Sequence, residues 1–157
     1  MSSIEILKSF TLFRGLENGA LNKIIPLCQE RIFPGGSVIF TSGGFASDIY
    51  LLKSGKVDIQ IEFKIYDYEI LATIYTVEKG EIFGWSALVP PHRLTASARC
   101  EKDSEVITIN GKRLLDLFEE EKEMGYLVLK NLSAVISSRL AATTIALRHE
   151  IQKLVKK

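Results

Sequence analysis

The strongest constraint on this fold is punctuation. Between Arg31 and Asn110, short runs of β-branched and aromatic residues are separated by glycines at Gly35-Gly36, Gly43-Gly44, Gly55, Gly80 and Gly84. Val38-Ile39-Phe40, Ile49-Tyr50-Leu51-Leu52, Val57-Asp58-Ile59-Gln60-Ile61, Glu69 to Ile74 and Val106-Ile107-Thr108-Ile109 each have the length and boundaries of a strand. Short strands at such regular spacing predict an antiparallel sandwich, roll or barrel. The 157 residues suffice for one domain with a full core, and 46% hydrophobic against 25% charged residues is ordinary globular composition.

The flanks have a different period. Ile4, Leu7, Phe10, Leu12 and Phe13, then Leu16, Leu21, Ile24, Ile25 and Cys28, recur at helical spacing and predict two short helices, the second disturbed at Pro26. After Asn110, a good N-cap, helical periodicity returns through Leu114, Leu115, Leu117 and Phe118. The segment from residue 122 has no proline, no glycine beyond Gly125, acid at its start and lysines at its end, which suits one helix over 122–155. Within it Ile136, Leu140, Thr144, Leu147, Ile151 and Leu154 step by 4, 4, 3, 4 and 3, close to a coiled-coil seam. A helix of roughly 45 Å has more apolar surface than a small β core covers, so part of the stripe is expected to meet a second copy of the chain. The alternative is a stripe folded back on its own roll.

Charge and cysteine content exclude several functions. Twenty Lys and Arg against 19 Asp and Glu give a net charge of +1, so no global field draws the chain to nucleic acid or anionic lipid. Two cysteines, Cys28 and Cys100, and a first segment without a basic-then-apolar leader fit the reducing cytoplasm. No apolar run has membrane-spanning length. His92 and His149 are the only histidines, and Ser86 lacks the glycine two places on that a nucleophile elbow needs. Neither a metal site nor an enzyme is expected.

The string Phe33-Pro34-Gly35-Gly36-Ser37-Val38-Ile39-Phe40, continued by Asp48-Ile49-Tyr50-Leu51-Leu52 and Gly55, resembles the first half of a cyclic nucleotide-binding domain. The likeness resumes at Gly80-Glu81-Ile82-Phe83-Gly84 and runs through Leu88, Thr95-Ala96-Ser97 and Asp103 to Val106, with Leu12 to Leu16 similar to the family's entry segment. It implies an antiparallel β-roll of jelly-roll type in a single domain, with N-terminal helices over 1–29, the roll over 30–110, a phosphate-binding cassette over 83–97 and C-terminal helices over 111–157.

In that family, cassette backbone amides and one arginine hold a cyclic phosphate, while a glutamate accepts from the ribose 2′-hydroxyl. Here the glutamate position holds Trp85 and the arginine position, fixed by Thr95-Ala96-Ser97, holds Leu94. Loss of the arginine alone weakens phosphate binding by roughly tenfold to more than a hundredfold, at about 1.5 to 3 kcal/mol per charge-assisted bond. The ligand candidates are cyclic AMP or another small anion, held by Gly84, Trp85, Ser86, Ala87, Leu94, Thr95 and Ala96, with Arg93 recruited if the Pro90-Pro91 loop bulges. Arg139 to Thr144 is similar to the dimer helix of the bacterial cyclic AMP receptors, where a hydroxyl pair reaches the adenine. Thr143 and Thr144 fall on that pair, and can equally be read as interface threonines. Family transcription factors carry a helix-turn-helix after this helix; none follows within these residues, so output through a protein partner, without direct DNA contact, is expected. The competing expectation keeps the roll as a scaffold without nucleotide.

Overall fold

The computed structural model describes residues 2–156. Helix α1 spans Ser3–Lys8 and α2 spans Asn18–Ile24, joined through a 3₁₀ turn over Thr11–Phe13. The disturbance expected at Pro26 takes the form of a second 3₁₀ turn, Ile25–Leu27, in which the proline sits near the start, where it needs no donor. Six antiparallel strands follow: β1 Cys28–Phe33, β2 Val38–Phe40, β3 Asp48–Ile65, β4 Tyr68–Val77, β5 Ile82–Phe83 and β6 Ser97–Asn110. They form one sheet in the order β1-β6-β3-β4, with β2 also on β6 and β5 also on β3.

The two expected strands on either side of Gly55 are one strand of 18 residues, β3. Gly55 bends it rather than ending it. The pairing with β6 slips register between Leu52 and Val57, so that residues 48–52 pair with 106–110 and residues 57–60 with 97–100. The bend lets two long strands serve both layers of the roll. The expected strand Val106 to Ile109 likewise forms only the end of the 14-residue β6.

Alternation on these strands sorts the apolar residues into two cores. Ile49, Leu51, Ile107 and Ile109 face a layer made by Leu7, Phe13, Leu21 and Ile24 of the N-terminal helices and by the C-terminal helices. Tyr50, Leu52, Val57, Phe83, Cys100 and Val106 fill the roll interior, where the Tyr50 and Phe83 rings stack at 5.0 Å. Because both faces of Ile49 to Leu52 are covered, the run carries no polar alternation. Cys28 is half buried, and its surroundings push its thiol up to about 11, leaving it protonated at neutral pH.

Helix α3 spans Gly111–Glu120, with Asn110 Oδ1 accepting from the Arg113 amide at 3.0 Å as an N-cap should. Helix α4 runs without interruption over Lys122–Val155. Its first half is pinned by Met124, Val128 and Leu132 in the outer core and by Asn131, whose amide donates to the Leu12 and Arg14 carbonyls at 3.0 and 2.9 Å. It then crosses β4, and beyond it apolar side chains are bare: Leu140 and Ile151 of the expected seam are 65% and 52% exposed, and Ile145, on another side of the helix, is 65% exposed.

Candidate functional site

The cassette begins where β5 ends. Gly84 has φ +72, and a Cβ there would lie 2.7 Å from the Tyr50 ring, so the chain can turn off the sheet at this point only with glycine. One 3₁₀ turn follows over Trp85–Ala87, closed by the Leu88 amide donating to the Trp85 carbonyl at 2.8 Å. The loop beyond it, with a cis Pro90-Pro91 bond, is tied back by His92, whose Nδ1 donates to the Ser86 carbonyl at 2.9 Å. Arg93 and Leu94 then return against Phe45 and the 43–44 turn, and the chain bends at Thr95 and Ala96 before β6.

Between the cassette, β4 and α4 lies a cavity of about 250 Å³. Of the residues expected at the site, Gly84, Trp85, Ser86, Leu94, Thr95, Ala96 and Thr143 line it. Ala87 does not: it is buried in a small cluster with Ala46 and Leu94. Thr144 does not either, since it sits on the exposed side of α4 and its hydroxyl donates to the Leu140 carbonyl of its own helix at 2.9 Å.

Arg93 is also turned away. The expected bulge that aims it at the site is not formed on its own segment: the irregularity lies on the facing turn, where Gly43, at φ +88, and Gly44 together face Leu94, the Leu94 amide donating to Gly44 and the Gly43 amide to Leu94 at 2.9 and 2.7 Å. Leu94 lies inside, 8% exposed, and Arg93 points out, where it donates to the Gly43 carbonyl at 3.2 Å.

The cation of the site comes from elsewhere. Arg139 of α4 is 7% exposed and lines the cavity. Its Nη2 donates to the Ile82 carbonyl at 3.0 Å, and its Cζ lies 3.9 Å from the Tyr75 ring centroid and 5.0 Å from that of Trp85. The nearest carboxylate, Glu81, is 3.9 Å away and is engaged by the Tyr75 hydroxyl and, at 2.9 Å, by the Glu78 amide. Burial lowers the Arg139 pKa, with Tyr75 and Glu81 opposing the shift, and a guanidinium remains charged. Burial and the bond to Glu81 raise the Tyr75 hydroxyl, which stays a donor. Sequence reasoning used Arg139 only as part of the helix likeness. The available signal was its place four residues before Thr143, on the same helix face, as a lone cation beside the apolar stripe.

The sequence model described as "Cyclic nucleotide-binding domain" matches residues 30–121, more than half of the chain. The chain belongs to the cyclic nucleotide-binding domain family. Within this family it is 28% identical over 141 residues, 90% of its length, to the cyclic AMP receptor protein of Thermus thermophilus. It is 26% identical over 125 residues to the potassium channel KAT3 of rice. It spans 62% of the first relative's length and 24% of the second's. A crystal structure of a Geobacter metallireducens protein classed with the cyclic nucleotide-binding proteins superposes with TM-score 0.74 at 34% identity, covering 89% of this chain and 99% of that one. The β-roll with short N-terminal helices and a long C-terminal helix is thus the fold of cyclic nucleotide-binding regulators and sensors. Among the described residues, no helix is long and apolar enough to cross a membrane.

Proposed function

We propose that this chain is a regulatory sensor domain without enzymatic activity, working in the cytoplasm, which dimerises through α4 and passes a ligand signal to a partner. The observation that carries the reading is that one helix does two things. Ile136, Arg139, Leu140 and Thr143 of α4 wall the cassette cavity, and the same helix then presents Leu140 and Ile151 of the expected seam uncovered. A ligand that repositions the α4 wall therefore acts directly on the dimer seam, by as much as its differential affinity for the two arrangements.

The ligand is a small anion, cyclic AMP among the candidates. The cassette side chains that the resemblance implies for a cyclic nucleotide are missing at Trp85 and Leu94, so cyclic AMP is expected to bind only at millimolar concentration. A ligand-free scaffold is the second reading, favoured by the apolar bulk of Trp85 and Leu94 on the cavity wall. The open volume beside a buried guanidinium speaks for the sensor.

Sedimentation equilibrium tests the arrangement. The wild type is expected to sediment as a dimer and Leu147→Glu, which places a carboxylate in the seam, as a monomer with an unchanged circular dichroism spectrum. A monomeric wild type at tens of micromolar removes the dimer. Calorimetry with cyclic AMP and cyclic GMP accompanies it; micromolar binding of either overturns the weak-nucleotide reading.

A further inference from the structure

We infer that the cavity is built for a small amphipathic monocarboxylate, an aliphatic or aryl-alkanoic acid whose carboxylate pairs with Arg139 and whose body lies against the apolar walls. The inference rests on the sensor reading and names its ligand class. Charge comes first. Arg139 is more than nine-tenths buried, its Cζ lies 3.9 Å from the Tyr75 ring centroid and 5.0 Å from that of Trp85, and its polar neighbours in the fold are the Ile82 carbonyl, the Tyr75 hydroxyl and, at 3.9 Å, Glu81. A guanidinium on the cavity wall can meet a carboxylate in two parallel hydrogen bonds. Glu81 forms a long ion pair with Arg139, 3.9 Å from Nη2 and beyond hydrogen-bond distance, while its oxygens accept from the Tyr75 hydroxyl and the Glu78 amide, so a carboxylate in the cavity can approach the guanidinium more closely than Glu81 does.

The rest of the cavity sets the ligand's body. Phe40, Ile59, Ile74, Leu94, Ile136 and Leu140 offer carbon, and no second cation joins Arg139 among the lining residues. A single negative charge is therefore matched, whereas a second one, or a run of sugar hydroxyls, is desolvated without compensation. At about 250 Å³ the cavity falls below the roughly 300–1,000 Å³ of drug-sized ligand sites. The Thr143 and Ser86 side chains on the wall are the polar groups that would orient the ligand's head.

Arg139 also ties α4 to β5 through the Ile82 carbonyl. A carboxylate competing for the guanidinium edge loosens that tie, which connects this ligand class to movement of the helix.

Trp85 is the chain's single tryptophan and forms part of the cavity wall, so its emission reads occupancy. The full chain is titrated with hexanoate and 4-phenylbutyrate, with the corresponding amides, with cyclic AMP and with inorganic phosphate. The acids are expected to give saturable changes, with the amides about tenfold weaker or more. Arg139→Gln is expected to abolish the difference between acid and amide, and Arg139→Lys to keep part of it. The acid–amide comparison on wild type needs no variant, so a variant that fails to fold does not rescue the inference. Equal affinity of acid and amide, or no response to either acid, overturns it. If cyclic AMP then binds and monomer–dimer behaviour responds, the sensor reading survives while the ligand class does not. If the acids bind but leave both the dimer and α4 unchanged, the ligand class stands and the sensor reading falls.

Discussion

Replacing Gly55 by alanine is expected to lower the unfolding free energy by about 2–6 kcal/mol, a large part of the roughly 5–15 kcal/mol by which a domain of this size is stable. Gly55 is where β3 bends from one layer of the roll to the other, with φ +102, outside the region that an L side chain adopts readily. A Cβ would stand 2.2 Å from Ser104 Oγ and 2.6 Å from the Asp103 carbonyl oxygen. Neither neighbour can give way cheaply. Ser104 is buried, accepts from the Lys56 amide at 3.2 Å and donates to the Lys102 carbonyl at 2.8 Å, and these bonds hold the facing bend of β6. Urea unfolding measures the effect; a loss under about 1 kcal/mol means that the bend is not the strained element described.

The largest functional change is expected from restoring the family's charges. Trp85→Glu with Leu94→Arg should raise affinity for cyclic AMP by about a hundredfold or more, since two charge-assisted contacts of about 1.5–3 kcal/mol each are gained. Both positions line the cavity, so both new side chains start from its wall. The new glutamate begins where the Trp85 ring now lies 5.0 Å from the Arg139 Cζ, so its charge is buried with a partner rather than alone. The arginine enters beside Thr95 and Ser86 in place of an apolar contact with Phe40, which will cost some stability. Calorimetry on the folded double variant decides: unchanged affinity, with an intact circular dichroism spectrum, shows that more than these two side chains separates this cavity from a nucleotide site.

What the sequence revealed follows from what each residue's neighbours are. The helix over 122–155 was legible because a long segment poor in glycine and proline has few alternatives, and its element bounds are those expected. Strand β1 was missed because Gln29, Glu30 and Arg31 are exposed on an edge of the sheet, where no apolar run is needed. The fusion of two expected strands into β3 was hidden by Gly55, since a glycine that bends a strand and one that ends it look alike. At the site, the positions of Trp85 and Leu94 in the cavity wall could be counted from the flanking motif. Arg139 could not, because its burial depends on α4 crossing β4, a packing contact between residues more than sixty positions apart.

The proposed sensor mechanism requires that occupancy of the cassette cavity set the position of α4 in a dimer. Its most direct test is the distance between spin labels at the exposed Gln152→Cys of each protomer, on an otherwise cysteine-free chain, without ligand and with hexanoate or cyclic AMP at concentrations that saturate Trp85 emission. A dipolar signal is expected in both states, with a displacement of at least about 1–2 Å between them. A chain with no dipolar signal, or an identical distance distribution with the cavity filled, would contradict it.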